Sequence, residues 1–144
     1  GLALACDVVL AAQSASFVMA FSNIGLIPDT GLTWFLPRLI GPARSTALMM
    51  NGGKIQAEDA ARWGMIWKCV DDDALLATAH EMAARAASAP RELLKVTKET
   101  IQAMSGIDAH SDAVKREIEP QVWSTRQPWF AERLAALQAK ISKK

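Results

Sequence analysis

The stretch from residue 24 to residue 41 constrains the fold most strongly, because it joins a turn, one carboxylate and an apolar helix. Its sequence is IGLIPDTGLTWFLPRLIG. Glycine and proline interrupt its first half, which indicates a turn. Pro37 lies inside the second half, and we expect it to break or kink a helix because it lacks a backbone N–H. The apolar side chains at the spacing of one buried helical face are Leu32, Phe35, Leu36, Leu39 and Ile40.

Asp29 is the one carboxylate in this stretch. Asp29 and Thr30 occupy the positions of a helix N-cap, where side-chain oxygens accept the free N–H groups of the first turn. Burial of a carboxylate in such apolar surroundings favours its neutral form, whereas the positive end of the helix dipole favours the anion by roughly 0.3–1 kcal/mol. A deeply buried Asp29 is therefore a candidate proton acceptor, and an exposed Asp29 is a simple cap. The local sequence alone favours the cap.

The charge balance of the chain excludes a protein that binds nucleic acid through electrostatic attraction. The 144 residues include 16 Lys and Arg and 15 Asp and Glu, which gives a formal net charge of +1 without a basic excess. No apolar run reaches the roughly 18 residues that a membrane span requires, so no membrane association is predicted. The first residues lack a basic leader and a cleavage pattern. A hydrophobic share of 51% is sufficient for one domain with a real core.

The cysteines and histidines predict no metal site. Cys6 and Cys69 lie far apart without neighbouring histidines, and His80 and His110 stand alone. We expect both cysteines to be buried free thiols in a reducing compartment, which predicts a cytoplasmic protein. P-loop, dinucleotide-binding and nucleophile-elbow motifs do not occur in the sequence.

Strand patterns come first along the chain and helical patterns follow. We predict strands at residues 8–12, 17–20 and 65–70, with helices between them at 43–50 and 56–63. From Asp73 onward four helical segments follow, and one of them contains Pro120 at a position that the pattern does not explain. We predict an α/β fold in which a helical appendage packs on its own core or on a neighbouring subunit. The lysines expected to extend into solvent at the end are Lys140, Lys143 and Lys144.

Three motifs together resemble the crotonase family of enoyl-CoA hydratases and isomerases. They are GLALACD, SASFVMAFSNIGLIPDTGLTWFLPRLIGPAR and GKIQAEDAARWGMIWKCVDD, and they follow the family's order and spacing. The resemblance implies a crotonase-like α/β fold. Residues 1–73 would be the C-terminal part of its ββα-spiral core, and residues 74–144 a helical trimerisation region. Because the chain starts with Gly1 in an apolar run, we expect it to be a piece of a longer protein.

The resemblance also implies an acyl-CoA isomerase. The two glutamates of the family's hydratases correspond to Gly1 and Phe21, so neither glutamate is present. Asp29 occupies the place of the single acid of the isomerases. It would remove a proton near the thioester carbonyl and form an enolate, so that a double bond or a ring moves without addition of water. The two backbone N–H groups that hold the carbonyl lie upstream of Gly1 in the family pattern.

Further expectations follow from the same resemblance. Phe21, Leu26 and Trp34 would line the acyl pocket. The acyl-CoA thioester is the substrate, and no separate cofactor or metal is implied. Family members form trimers or hexamers whose C-terminal helices pack across subunits. Two alternatives stay open: an enoyl-CoA hydratase that uses another carboxylate, and a non-catalytic crotonase-like fragment or assembly module.

Overall fold

The computed structural model describes residues 1–142 of the chain. Contacts between residues divide the chain into two units, Gly1–Glu81 and Met82–Lys144. The division falls later in the sequence than the boundary predicted between residues 73 and 74. Of the three lysines predicted to extend into solvent, Lys140 is exposed, and the other two lie outside the described residues.

The first unit contains two small sheets joined by short helices. Strand β1 (Leu10–Ala12) pairs in parallel with β4 (Lys68–Val70), with Ala11 opposite Cys69. Strand β2 (Ser16–Val18) pairs antiparallel with β3 (Lys54–Gln56), with Phe17 opposite Ile55. The helices of this unit are α1 (Leu32–Ile40), α2 (Pro42–Met50) and α3 (Ala57–Arg62), and 3₁₀ turns occur at Ala3–Ala5, Ser22–Ile24 and Asp72–Ala74.

Helix α1 supplies the centre of the core of the first unit. Leu32 and Leu36 are 1% and 0% exposed, and Ile40 is also buried. The predicted apolar face is therefore correct along this line of the helix, although Leu39 lies 40% exposed at its edge. Helix α1 packs directly on α2. The other buried apolar side chains of the cluster come from both sheets, from α2 and α3 and from the loops: Leu4, Ala11, Met19, Leu48, Ile55, Ala57, Ala60, Met65 and Ile66.

Pro37 does not interrupt helix α1, so the predicted break is wrong. The helix continues to Ile40, and the carbonyl oxygen of Pro37 accepts a hydrogen bond from Gly41 N–H at 3.0 Å. The missing N–H of Pro37 removes a single helical bond, to the carbonyl of Thr33. Because Thr33 is exposed, water can satisfy that carbonyl.

The strand predicted at residues 65–70 is shorter than its pattern suggests. Only Lys68–Val70 pair in a sheet, whereas Met65 and Ile66 donate their N–H groups to the carbonyl of Ala60 at 2.9 and 3.3 Å. These bonds close the C-terminal end of α3, and Gly64 provides the left-handed residue predicted there. The apolar alternation therefore reflects burial of Met65 and Ile66 in a turn.

The second unit is helical and has no fully buried side chain. It contains the end of α4 (Leu75–Ala87), then α5 (Arg91–Met104), α6 (His110–Thr125) and α7 (Pro128–Ile141). Helix α5 packs on α6, and α6 packs on α7. Helix α6 runs through Pro120 without a break. Between residues 82 and 142 every apolar side chain keeps some exposure, and none of the described helices is long and apolar enough to cross a membrane.

We predict that Leu36→Ala destabilises the chain much more than Leu39→Ala. Leu36 is completely buried, and removal of a buried leucine side chain costs about 2–5 kcal/mol of unfolding free energy. Leu39 lies on the same helix and is 40% exposed, so its loss should cost less than about 1 kcal/mol. Urea denaturation measures both values, and equal losses would contradict the assigned core face of α1.

A second prediction concerns the pH dependence of stability. The Asp72 carboxylate accepts a hydrogen bond from Ser14 N–H at 2.9 Å. Hydrogen bonds from the side chain and backbone of Ser14 lower the pKa of Asp72 below its usual value of 3.8. A carboxyl group whose pKa is lower in the folded state stabilises the fold above its unfolded pKa, and this contribution disappears as the pH falls through the folded value.

Asp72→Asn should therefore lower the melting temperature at neutral pH, and its difference from the parent chain should vanish in strong acid. Thermal unfolding followed by circular dichroism at several pH values measures this difference. Asp73→Asn removes the same charge from the neighbouring residue and serves as the control. An identical, pH-independent loss in both variants would show that the Ser14 hydrogen bonds do not stabilise the fold.

Candidate functional site

A tight turn at residues 29–32 positions Asp29. The N–H of Leu32 donates a hydrogen bond to the carbonyl oxygen of Asp29 at 2.9 Å. The two central residues, Thr30 and Gly31, have φ values of 51° and 77°. A four-residue turn with this bond and two positive φ values matches type I′. The backbone therefore reverses sharply between Asp29 and the helix.

The turn explains why the predicted cap is wrong. Gly31 is the N-cap of α1, and its ψ of 8° completes the left-handed pair. No side chain caps the helix there. Asp29 lies one residue before the left-handed pair, which separates its carboxylate from the first turn of α1. The sequence does not reveal the positive φ of Thr30, so the local pattern alone favours an ordinary N-cap.

Gly1 packs against this turn and also lines a cavity. A Cβ atom placed on Gly1 would overlap the Thr30 hydroxyl group and would lie 2.7 Å from Thr30 Cβ. Gly1 belongs to the lining of a cavity of about 300 Å³, together with Phe21, Leu32 and Met65. Ser16 is the one polar side chain of the lining. The turn that carries Asp29 therefore lies beside the wall of this cavity.

The predicted pocket residues are only partly brought together. Phe21 lines the cavity and is half-buried. Leu26 is 59% exposed, although its N–H donates to the carbonyl of Phe21 at 2.9 Å. Trp34 is 48% exposed. Leu26, Trp34 and Asp29 all lie outside the lining of the cavity.

Asp29 itself is exposed, so the expectation of a buried, dry acid is wrong for these residues. The apolar neighbours that suggested burial are present but face solvent, since Ile24 and Ile27 are 69% and 83% exposed. Asp29 thus lies on an apolar surface, and the sequence correctly indicated its composition. A dry environment for the carboxylate requires a second surface that covers this one.

Trp34 is held by residues of its own helix. The guanidinium of Arg38 lies 4.1 Å from the centre of the Trp34 ring, and its Nη1 donates to the Trp34 carbonyl at 3.0 Å. Phe35 contacts the same ring edge-to-face at 5.1 Å. The sequence reasoning missed Arg38, although its position four residues after a tryptophan on one helix is the signal for such a pair.

The other end of the loop contacts the glycine turn that precedes β3. The side-chain amide of Asn23 packs on Gly52 so closely that a Cβ atom on the glycine would overlap it. Nearby, Met19 N–H donates to the carbonyl of Gly53 at 2.8 Å. Segment 20–31 is therefore held near both ends by close contact with a glycine, at Gly52 and at Gly1. Both contacts join residues far apart in the chain, which a sequence pattern does not reveal.

The two thiols are free, and neither is fully buried, so the expectation that both are buried is wrong. Cys6 is exposed, whereas Cys69 is half-buried and packs on the core through β4. Cys6 and the next residue, Asp7, line a second groove together with Val8 and Trp67. Within residues 1–142 no group of three or more His, Cys, Asp or Glu side chains is arranged to hold a metal ion.

Comparison with protein families gives one match over most of the chain. The family model described as "Enoyl-CoA hydratase/isomerase" matches residues 1–128. A curated relative, 1,2-epoxyphenylacetyl-CoA isomerase of Escherichia coli (strain K12), is 51% identical over 100 residues, which cover 69% of this chain and 38% of the relative. A probable enoyl-CoA hydratase of Mycobacterium tuberculosis (strain ATCC 25618 / H37Rv) is 39% identical over 142 residues, which cover 95% and 55%.

Solved structures show the same relationship at the level of the fold. The enoyl-CoA hydratase of Polaromonas sp. JS666 superposes with a TM-score of 0.89 at 33% identity, and the match covers 96% of this chain and 54% of that protein. The chain therefore spans about half the length of the solved structure, and 38% and 55% of the two curated relatives.

Proposed function

Because the chain belongs to the enoyl-CoA hydratase/isomerase family and has a crotonase-like α/β fold, we propose that it carries the base of an acyl-CoA isomerase. Asp29 is that base. The observation that supports the proposal is the contact between Gly1 and Thr30, because Gly1 lines a cavity and Thr30 belongs to the turn that carries Asp29. The 51% identity to a relative named 1,2-epoxyphenylacetyl-CoA isomerase supports an isomerase, and the preference over a hydratase rests on Gly1 and Phe21 at the positions that correspond to the two glutamates of the hydratases.

The proposed reaction proceeds through a thioester enolate. The Asp29 carboxylate accepts an acidic proton from a carbon near the thioester carbonyl, and the electrons of the broken C–H bond move into the enolate. Two backbone N–H donors of the family pattern stabilise the enolate oxygen, at about 3–4 kcal/mol for each donor in comparable sites. The enolate electrons then form a C–H bond at another carbon with the proton returned by Asp29, which restores the thioester carbonyl and leaves the double bond moved, and no water is added.

The proposed pocket needs a covering surface. Phe21 lies in the cavity wall, and Leu26 and Trp34 project from the exposed face beside Asp29. The solved relative contains nearly as much chain again beyond the matched part. We propose that this remaining part of the crotonase fold provides the two N–H donors and covers the apolar surface. Covering would exclude water from Asp29 and from the acyl group.

Each alternative function has one observation in its favour. The 39% identity to a probable enoyl-CoA hydratase favours hydration with another carboxylate. The exposure of Asp29 favours a non-catalytic module. The acyl-CoA substrate is part of the proposal and is supported by the family match, and the identity of the acyl group and the cytoplasmic location stay predictions.

We predict that Asp29→Asn abolishes isomerisation and leaves the fold intact. Loss of a general base typically costs about 10²–10⁴-fold in rate. The assay follows the absorbance of the conjugated enoyl thioester formed from a 3-enoyl-CoA, with the native gene product after its intact mass has been measured. Asp108→Asn, an exposed aspartate of the second unit, is the matched control. Full activity of the Asp29 variant would end the proposal.

The same assay separates the alternatives. Clear hydration of crotonyl-CoA by the parent protein, unaffected by Asp29→Asn, would favour the hydratase. A folded parent protein that turns over neither substrate would favour the non-catalytic module.

We also propose that the second unit mediates self-association into a trimer or a hexamer. Its helices expose large apolar side chains along their length, among them Ile101 at 67% and Ile141 at 65%. A helical unit without a buried side chain gains little stability from its own packing, so burial against other copies would supply the missing core. On α7 the apolar residues at helical spacing are Phe130, Leu134, Leu137 and Ile141.

We predict that Leu137→Glu weakens self-association. The new carboxylate would have to be buried in the apolar contact without a partner, which costs several kcal/mol. Ala139→Glu adds the same charge on the opposite side of α7 and should leave the assembly unchanged. Light scattering during size-exclusion chromatography measures the mass of each variant. A monomeric parent chain at all concentrations, or equal effects of both variants, would contradict the proposal.

A further inference from the structure

Thr30 has an unusual backbone conformation for its type. Among residues 1–142 it is the only non-glycine residue with a positive φ, at 51°. The left-handed conformation is strained for L-residues and especially for β-branched ones, whereas glycine adopts it freely. Such strain persists only where the surrounding contacts fix it, and it is common at functional sites. The contacts of Thr30 should therefore show what keeps its backbone in the strained conformation.

Gly1 provides the contact that holds the Thr30 side chain. The space that a side chain on residue 1 would need is filled by the Thr30 hydroxyl and Cβ, and the Thr30 carbonyl oxygen lies 3.0 Å from the same point. Gly1 is itself fixed, because its carbonyl oxygen accepts a hydrogen bond from Ala5 N–H at 3.1 Å. Thr30, which is otherwise exposed, thus contacts backbone that is hydrogen-bonded to the 3₁₀ turn at Ala3–Ala5.

The turn is held on its other side by the core. Leu32, which donates the closing hydrogen bond to Asp29, is 1% exposed. The four-residue turn is therefore fixed at its second and fourth positions, by Thr30 against Gly1 and by Leu32 in the core. Its first residue, Asp29, projects from a backbone that has little freedom. A fixed backbone at Asp29 limits the directions that its side chain can take and so reduces reorganisation when a substrate binds.

We propose that Thr30 is a positioning residue for Asp29: its side chain, packed against Gly1, holds the type I′ turn that sets the direction of the carboxylate. The positioning role rests on the proposed function, in which Asp29 is the base. The packing of Thr30 on Gly1 and its effect on the turn do not depend on catalysis, so the two ideas can be tested separately.

The experiment measures hydrogen exchange of the Leu32 amide by NMR in four variants. Thr30→Gly relieves the strain and removes the contact, Thr30→Ser keeps the hydroxyl, and Gly1→Ala introduces the overlapping Cβ. The double variant combines Gly1→Ala with Thr30→Gly. The Met19 amide, which donates to Gly53 at 2.8 Å, reports on the rest of the first unit and is the internal control.

We expect the Leu32 amide to exchange about tenfold faster in Thr30→Gly and in Gly1→Ala, with the Met19 amide unchanged. Thr30→Ser should keep Leu32 exchange within about threefold of the parent, and the double variant should be no faster than either single one, because both changes remove one shared contact. Parent-like Leu32 exchange in both single variants would overturn the proposal. Equal acceleration at Leu32 and Met19 would also overturn it, because it would show general destabilisation.

The isomerase assay adds a readout that loss of stability does not mimic. Thr30→Gly should lower kcat about tenfold with KM near the parent value, and Thr30→Ser should restore kcat. A change confined to KM would contradict a positioning role. If Asp29→Asn retained full activity while Leu32 exchange responded as expected, the proposed function would fail and the Thr30 contact would stand. If Leu32 exchange stayed parent-like in Thr30→Gly and Gly1→Ala while Asp29→Asn was inactive, the proposed function would stand and the Thr30 proposal would fail.

Discussion

Burial of one side of helix α1 is the constraint on which the first unit depends. Leu32 begins the helix in the core, Leu36 follows it at 0% exposure, and Ile40 closes the same line. Each fully buried leucine removes apolar surface worth about 1.5–3 kcal/mol from water. Because Leu32 is also the last residue of the tight turn, the packing of α1 in the core fixes the position of the turn that begins at Asp29. The backbone hydrogen bond from Leu32 N–H to the Asp29 carbonyl therefore joins the core to the candidate site.

The helices could be predicted from the sequence because the apolar residues of α1 and of α4 to α7 recur at helical spacing, and spacing is a local property. Local pattern could not give the conformation of Thr30, since most sequences with a threonine before a glycine leave that threonine at negative φ. It also could not give the contacts of Gly1 with Thr30 or of Asn23 with Gly52, which join residues distant in the chain. The motif resemblance supplied the family, which the comparisons confirm.

The exposure of Asp29 and the exposure of the second unit have the same physical origin. In both places the sequence carries apolar side chains at the spacing of buried faces, and the described residues do not bury them. Ile27 beside Asp29 is 83% exposed and Ile101 on α5 is 67% exposed. Apolar residues at helical spacing indicate a face suited to an apolar contact, but they do not indicate which part of the protein provides that contact. Burial was therefore predicted wrongly as a state of these residues, and their burial against another surface stays a prediction.

The proposed role of Asp29 as a base has two requirements, a defined direction and an environment that excludes water. Within residues 1–32 the backbone of the turn that carries Asp29 is fixed by its own hydrogen bond, by the contact of Thr30 with Gly1 and by Leu32 in the core. The environment is not set there, because the apolar surface around Asp29 faces water. Backbone geometry depends on short-range contacts, whereas exclusion of water requires a complete enclosure. The proposed reaction therefore needs a second surface over Asp29 in addition to the contacts that fix its turn.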